Sequence, residues 1–274
     1  MTGQGDPLHA ACGKAFARAR RAAQGLAQWP GALPQSLAQA YAIQAAAGQA
    51  WGKRPGGVKV GRVLGDWADQ LGVDRFLGPI CAQTIQHTGT GNPASFPIIT
   101  GGTALLECEI IAVLGADAPA HDQITPLEAR DLVASLHIGI EIAGSPMADI
   151  NPLGPLASIA CFGNNNGAIV GPAIAGWRDL DTRSIGCTAR IDGVAVGQGD
   201  TGRLPGGLFA ALAFACAQAV RIGQPLRAGD IVCSGALTGM HPIAPGQHAE
   251  ADFGPLGQVR CQSVAQAPEA GEAA

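Results

Sequence analysis

The most constraining feature of this chain is an apolar run, residues 103–116 (TALLECEIIAVLGA), that contains two acids, Glu107 and Glu109. In a β-strand, residues i and i+2 share a face, so the two carboxylates would point the same way. Burying unpaired carboxylates is costly, and adjacent carboxylates repel each other. Either this face of the strand meets water or a cation neutralises the pair, and the apolar flanks favour the cation.

A third acid, Glu141, lies in a second alternating run, residues 136–143 (LHIGIEIA). Its face carries His137, which we interpret as structural, and the opposite face carries isoleucines. Carboxylates form a hard oxygen site suited to Mg²⁺ or Mn²⁺, whereas zinc prefers thiolates and histidines. The alternation therefore predicts a metal site made of Glu107, Glu109 and Glu141.

The composition indicates a globular protein that binds small molecules. The 274 residues are 47% hydrophobic and 14% charged, and the net charge is −4. This acidic balance attracts neither nucleic acid nor an anionic membrane. Eight scattered cysteines without a Cys-x-x-Cys pair predict reduced core residues of a cytoplasmic protein. The N-terminus lacks a signal-peptide pattern, and the most apolar helix-like run, residues 208–220, is too short to cross a bilayer.

The sequence pattern divides the chain into three parts. Residues 1–52 are rich in alanine and predict a helical N-terminal segment. Residues 53–264 alternate short apolar runs with turn residues, which predicts a β-rich domain, and residues 265–274 predict a disordered tail. Helical patterns cover four stretches, residues 8–28, 35–51, 125–135 and 205–222.

Two further polar features lie close to predicted strands. Lys59 sits between two valines in a glycine-rich strand, where it either faces solvent or faces a ligand that the glycines allow to approach closely. The asparagine cluster at residues 164–166 predicts a loop whose amides either bind a polar ligand or satisfy the backbone of the turn.

Five pieces of the sequence, spread over about residues 35–263, occur in a recognisable order. They are AYAIQ at residues 40–44, the strand at residues 58–61, the Glu107-x-Glu109 pair, Glu141, and GDIVCSGALTG with FGPLGQV near the C-terminus. Together they resemble the 2-keto-4-pentenoate hydratase and 4-oxalocrotonate decarboxylase group of the fumarylacetoacetate hydrolase superfamily. The resemblance covers nearly the whole chain, and its specificity comes from the order of the pieces.

The resemblance implies an α+β fold, a mixed β-roll or barrel with flanking helices. It implies that Glu107, Glu109 and Glu141 hold Mg²⁺ or Mn²⁺ in the β-rich catalytic domain. It also implies a 2-oxo acid substrate that chelates the metal through its carboxylate and 2-oxo oxygens, with Lys59 nearby. A soluble homo-oligomer is expected, with a sister decarboxylase or an aldolase as a further partner.

The activity implied is that of a hydro-lyase in the catabolism of aromatic rings after meta-cleavage. A metal-dependent hydratase of this kind adds water to a 2-hydroxy-2,4-dienoate and forms a 4-hydroxy-2-oxo acid. Lys59, Glu107 and Glu141 are the expected catalytic residues, and a lysine close to a cation is expected to have a lowered pKa. Asn165 and Thr238, with Lys59, are expected to orient the substrate carboxylate or the water.

Alternative activities remain open at this point. The first is decarboxylation of a 4-oxalocrotonate-type 2-oxo acid, in which the chelated 2-oxo group accepts electrons as CO₂ leaves. Another is a non-catalytic subunit that supports a partner enzyme in a mixed oligomer. Hydrolysis of an acylpyruvate ranks lower, because neither His9 nor His87 has the surroundings of a His/Glu dyad.

The chain departs from the group's pattern at two places. Many hydratases continue after the third glutamate with Asp-Ser-Arg, whereas this chain has Gly144-Ser145-Pro146. The loop before the asparagine cluster usually carries an acid, and here its position falls on Cys161. Loss of a charged contact at either place would change which substrate is accepted.

Overall fold

The computed structural model describes residues 7–88 and 94–270. Within these residues the helices are α1 (Pro7–Arg21), α2 (Leu37–Trp51), α3 (Asp66–Leu71), α4 (Pro126–Asp131), α5 (Pro155–Ala160) and α6 (Leu208–Arg221). The strands are β1 (Pro55–Arg62), β2 (Arg75–Cys81), β3 (Ile85–His87), β4 (Ala94–Ile98), β5 (Thr103–Leu114), β6 (Val133–Ser145), β7 (Asn165–Ala173), β8 (Gly186–Ile191), β9 (Val194–Asp200), β10 (Ile231–Cys233), β11 (His241–Pro242), β12 (His248–Asp252) and β13 (Gln258–Ala265).

The larger sheet is mixed and has the strand order β2-β1-β10-β5-β6-β7-β3, with β11 also paired to β5. Strand β1 pairs with β10 in parallel, and β7 pairs with β3 in parallel, while the long β5–β6 and β6–β7 pairs are antiparallel. Strands β2 and β3 form opposite edges of this sheet, yet only residues 82–84 separate them in the chain. The sheet must therefore curl, and the predicted mixed β-roll with flanking helices is confirmed.

The second sheet has the order β4-β13-β12-β8-β9 and packs on the outer face of the first. Cys108 and Ile110 of β5 share one hydrophobic core with Ala189 of β8 and Ala251 of β12. Because side chains alternate along a strand, the odd-numbered residues of β5 must face the inside of the curled sheet. This alternation turns Glu107 and its partners inward.

Two predicted helices are present with shorter bounds than expected. The helix expected over residues 8–28 is α1, which ends at Arg21, and Ala23 adopts a left-handed conformation with φ of 53°. The helix expected over residues 125–135 is α4, which begins with a capping box formed by Thr125 and Glu128. It ends early, since β6 starts at Val133 and its side chains enter the sheet core.

The described part of the predicted tail at residues 265–274 makes backbone hydrogen bonds to the rest of the protein. Ala265 ends β13, the backbone N–H of Gln266 donates to Ile98 O at 2.8 Å, and that of Glu269 donates to Arg21 O at 2.8 Å. Residues 271–274 lie outside the described residues.

All eight cysteines are free and buried, as predicted for reduced core residues. Among the helices of residues 7–88 and 94–270, none combines the length and the apolar character that crossing a membrane requires.

Candidate metal centre

Three buried glutamates meet on the inner face of the curled sheet. The antiparallel register of β5 and β6 sets Glu107 directly opposite Glu141 and sets Glu109 opposite Gly139. One carboxylate oxygen from each glutamate lies within 4.8 Å of the others. Relative exposure is 4% for Glu107 and 0% for Glu109 and Glu141. The acids that sequence alternation singled out therefore form one cluster away from solvent.

The cluster leaves carboxylate oxygens free to bind a cation. Glu109 Oε2 accepts a hydrogen bond from the backbone N–H of Gly235 at 2.8 Å, but its buried Oε1 has no hydrogen-bond partner in the described part of the chain. Glu141 Oε1 accepts from Asn165 Nδ2 at 3.0 Å, and its Oε2 lies 3.3 Å from Lys59 Nζ. Buried polar atoms are nearly always paired, so an unpaired carboxylate oxygen needs an explanation. Hard oxygen donors with excess negative charge fit a divalent cation of the Mg²⁺ class.

The electrostatics of the trio are unfavourable for the protein alone. Burial raises the pKa of Glu107 to about 7, with Lys59 opposing the rise and Glu141 adding to it. Burial also raises the pKa of Glu109 well above its ordinary value, and the charges of Glu141 and Glu107 add to that rise. A single ammonium does not neutralise three carboxylates, whereas a divalent cation would complete the balance.

Lys59 lies on β1 with its ammonium buried beside the trio. Its relative exposure is 5%, and the ring centroid of Phe76 lies 5.6 Å from Nζ. Burial disfavours the ammonium, but the charges of Glu141, Glu107 and Glu109 outweigh it and hold the pKa of Lys59 above its ordinary value. The lowered pKa that we expect for Lys59 applies beside a bound cation; in the protein alone the pKa moves in the opposite direction, because the nearest charges are the carboxylates.

The two residues predicted to orient the substrate lie in different settings. Thr238 is buried, and its Oγ1 has no hydrogen-bond partner among residues 7–88 and 94–270. Asn165 uses its side chain within the protein: Nδ2 donates to Glu141 Oε1 and, at 3.1 Å, to Gly167 O, and Oδ1 accepts from Gly167 N at 3.0 Å. Asn165 therefore orients a predicted metal ligand, whereas the Thr238 hydroxyl remains available.

Two further buried polar groups have the same property as Thr238. Asn164 belongs to the asparagine cluster noted in the sequence, whereas Ser234 was missed. Ser234 Oγ and Asn164 Oδ1 are buried without hydrogen-bond partners among the described residues. Ser234 precedes Gly235, whose N–H holds Glu109, and the run SGALTG at residues 234–239 was the signal that could have identified it.

Both departures from the group's pattern meet at an arginine that sequence reasoning also missed. Gly144 O accepts a hydrogen bond from Arg20 Nη2 at 3.4 Å. Cys161 is fully buried against the same guanidinium. Burial raises the pKa of the Cys161 thiol to about 11, although Arg20 opposes the rise.

A separate cavity of about 660 Å³ lies between the C-terminal half of α2 and residues 224–230. Its lining includes Lys53, Arg54 and Arg227 but neither Lys59 nor any of the three glutamates. This cavity is therefore not the space in front of the metal centre.

Comparison with known proteins shows one matching family and places a hydratase and a decarboxylase among the relatives of the chain. The family described as fumarylacetoacetate (FAA) hydrolase C-terminal matches residues 77–264. The chain is 30% identical over 230 residues to a 2-keto-4-pentenoate hydratase of Paraburkholderia xenovorans (strain LB400), covering 81% of this chain and 82% of that protein. It is 29% identical over 156 residues to a 4-oxalocrotonate decarboxylase of Pseudomonas sp, covering 56% of this chain and 58% of that protein.

A solved structure shares the fold over almost the full length. The 4-oxalocrotonate decarboxylase from Pseudomonas putida G7, complexed with magnesium and adipate, superposes with a TM-score of 0.77 at 19% sequence identity. The match covers 93% of this chain and 97% of that one.

Proposed function

The chain belongs to the fumarylacetoacetate (FAA) hydrolase family. Within this family, we propose that it is a metal-dependent hydratase. It adds water to a 2-hydroxy-2,4-dienoate of the 2-keto-4-pentenoate type and releases a 4-hydroxy-2-oxo acid. The observation that carries the proposal is the buried trio of glutamates with an ammonium 3.3 Å from one of them, in a chain 30% identical to a 2-keto-4-pentenoate hydratase.

Glu107, Glu109 and Glu141 would hold the metal, as Mg²⁺ or Mn²⁺. The all-oxygen donor set and the unpaired Glu109 Oε1 support a hard divalent ion. When bound, such an ion polarises the 2-oxo group of a chelating substrate and makes C4 of the conjugated 2-oxo-3-enoate electrophilic.

The reaction requires two proton transfers to carbon. When the dienol becomes a 2-oxo-3-enoate, its 2-hydroxyl loses its proton to a carboxylate of the trio and C5 receives a proton. After the oxygen of water bonds to C4, C3 receives the second proton. Lys59 is the donor in this proposal, because the surrounding carboxylates keep its ammonium protonated. Glu141 Oε2, at 3.3 Å from Lys59 Nζ, takes the proton that water loses and exchanges it with Lys59. Glu107, on the same face, is the other candidate base.

Thr238 orients the substrate carboxylate or the attacking water in this proposal. Its hydroxyl is buried and has no partner among the described residues, so it donates to the substrate without breaking an internal hydrogen bond. The curled sheet around the trio keeps bulk water from competing for these groups.

The test is turnover of two substrates by the purified full chain. With MgCl₂ or MnCl₂, the protein should consume 2-hydroxypenta-2,4-dienoate, which is followed by loss of the dienol absorbance, and should form 4-hydroxy-2-oxopentanoate. Chelation with EDTA should stop the reaction, and Mn²⁺ or Mg²⁺ should restore it. Turnover of 2-oxohex-3-enedioate with CO₂ release, and none of the dienoate, would instead establish the decarboxylase, which the 29% identity to a 4-oxalocrotonate decarboxylase makes the second candidate.

A further inference from the structure

The largest fully buried side chain among the described residues is a cation, Arg20 of α1. Its relative exposure is 1%, and no carboxylate of the described residues lies within ion-pair distance of its guanidinium. Burying a charge is expensive unless it is paired and hydrogen-bonded. Because burying this guanidinium charge costs free energy, we ask what Arg20 does besides packing in the core.

The guanidinium of Arg20 donates hydrogen bonds to both β6 and β7, two strands beside the candidate metal centre. Arg20 Nη2 donates to Asn165 O at 2.7 Å and to Gly144 O at 3.4 Å, and Nη1 donates to Asn166 Oδ1 at 3.0 Å. Gly144 lies on β6, three residues after Glu141, and Asn165 begins β7. The planar fork of arginine suits such a set of fixed acceptors better than a lysine ammonium does.

The strands need this support because their pairing is irregular there. The β6–β7 register shifts between Ile142, which pairs with Gly167, and Ala143, which pairs with Asn165, so that Asn166 is the extra residue of a bulge. Bulges interrupt the backbone ladder and redirect side chains, and they occur next to active sites. The hydrogen bonds of Arg20 therefore reach the bulge, where the backbone hydrogen bonds between β6 and β7 are interrupted.

The contact continues from Asn165 to the metal centre. The residue whose carbonyl Arg20 holds is the one whose Nδ2 donates to Glu141 Oε1 at 3.0 Å. We propose that Arg20 is a positioning residue for the metal centre, which fixes Asn165 and through it the Glu141 carboxylate. This inference rests on the proposed function for its assignment of Glu141 as a metal ligand.

The environment of Arg20 supports a fixed guanidinium. Its Cζ lies 4.6 Å from the ring centroid of Phe162 and 5.5 Å from that of Trp51, so two aromatic faces restrict its motion. Cys161, at the position where the group usually has an acid, stays a neutral thiol at neutral pH because burial raises its pKa to about 11. The hydrogen bonds to backbone and asparagine oxygens therefore replace a counter-charge.

The test measures binding of Mn²⁺ alone to the full chain, by electron paramagnetic resonance titration of the metal-free protein, beside kcat and KM. Arg20→Ala should weaken Mn²⁺ binding roughly 10- to 100-fold, the range found when partners of metal ligands are removed. Arg20→Lys should fall between, and millimolar guanidinium chloride should restore part of the affinity of Arg20→Ala. The matched control is Arg21→Ala, because Arg21 on the same helix donates to carbonyls of α2, including Trp51 O at 3.2 Å, and should leave Mn²⁺ affinity unchanged.

A double-mutant cycle separates positioning from a general loss of stability and remains usable if Arg20→Ala does not fold. Asn165→Ala should weaken Mn²⁺ binding by itself, and Arg20→Lys should then add little, because its path to Glu141 is already broken. Native Mn²⁺ affinity in Arg20→Ala, or fully additive losses in the cycle, would overturn the inference. A chain that binds Mn²⁺ and loses it in Arg20→Ala, yet hydrates no dienoate, would overturn only the proposed function.

Discussion

Replacing Glu107 by glutamine removes a charge from the proposed metal centre and keeps the shape of the side chain. We expect metal-dependent turnover to fall by more than about 100-fold, beyond the loss expected for a residue that only supports a ligand. The metal-free variant should unfold at the same or a higher urea concentration than the native chain, because the change relieves repulsion within the buried trio.

The matched control is Glu250→Gln on β12, whose carboxylate pairs with Arg260 at 2.7 Å on the second sheet. This variant should keep native turnover. A Glu107→Gln enzyme that remains Mg²⁺-dependent at native rates would show that Glu107 is not a ligand.

Thr238→Val removes a buried hydroxyl that has no hydrogen-bond partner among the described residues. Removing a hydroxyl that makes no hydrogen bond should leave the free energy of unfolding unchanged, while KM for the dienoate should rise about tenfold or more through the lost bond to the substrate. Urea denaturation and steady-state kinetics measure the two effects on the same preparation.

Thr201→Val is the converse control, because Thr201 Oγ1 accepts from the backbone N–H of Ile185 at 2.9 Å in a buried setting. Leaving that N–H unpaired should cost about 1–3 kcal/mol of stability with little change in KM. If Thr238→Val lowered the free energy of unfolding and left KM unchanged, as Thr201→Val should, Thr238 would act on folding and not on the substrate.

At the scale of residues, alternation along the strands predicted the trio, since it needs only a period of two and an apolar setting. Lys59 was also found, but the raised pKa that it has in the protein alone could not be predicted, because it depends on three carboxylates that come from other strands. Arg20 was missed because the sequence shows it among other arginines of an alanine-rich helix. Its acceptors lie about 120–150 positions away in the chain, so only the fold shows that it is buried.

At the scale of elements, the position of β2 depends on two glycines that meet back to back. A Cβ on Gly78 would lie 2.5 Å from Phe162 O and 2.7 Å from Gly163 Cα. Gly163 in turn approaches the Lys59 side chain, so β2, the turn at residues 162–164 and Lys59 pack as one unit.

Gly78→Ala should therefore destabilise the protein by about 1–3 kcal/mol, the usual cost of overpacking, as measured by urea denaturation. The matched control is Gly48→Ala in α2, where nothing lies within 4 Å of the new Cβ. That change should stabilise by up to about 1 kcal/mol, because alanine favours a helix. A Gly78→Ala protein as stable as the native chain would mean that β2 and the turn can separate without cost.

Element boundaries were harder to predict than element types. The capping box at Thr125 marked the start of α4 correctly, because it is a local pattern. The end of α4 was missed, because the residues after Asp131 can form a helix or a strand. Their pairing with β5 makes them part of β6. The asparagine cluster was predicted as a loop, but Asn165 and Asn166 begin β7, where hydrogen bonds from Arg20 and to Glu141 hold them.

At the scale of the whole molecule, composition and alternation predicted a β-rich globular protein, and the family resemblance implied a mixed β-roll, but the order of its strands was not predicted. Strand β10, far along the chain, enters the sheet between β1 and β5, and this non-local pairing has no local signal. The curl of that sheet is what makes the inner face a closed site. Metal binding should consequently stabilise the entire fold, because the ligands come together only when β5 and β6 are paired.

A divalent ion that binds the native chain and not the unfolded one should raise the melting temperature. At a free Mn²⁺ concentration of about 100 times its dissociation constant, linkage gives about 2.7 kcal/mol, or roughly 5 to 10 °C for a domain of this size. Calorimetry of the EDTA-treated chain with and without MnCl₂ measures the shift in melting temperature.

Glu107→Gln should abolish most of this shift, and Glu250→Gln should retain it, because only the first change removes a charge from the trio. A native protein that melts at the same temperature in EDTA and in MnCl₂ would mean that the three carboxylates stay together without a cation, and the repulsion between them would then need another source of relief.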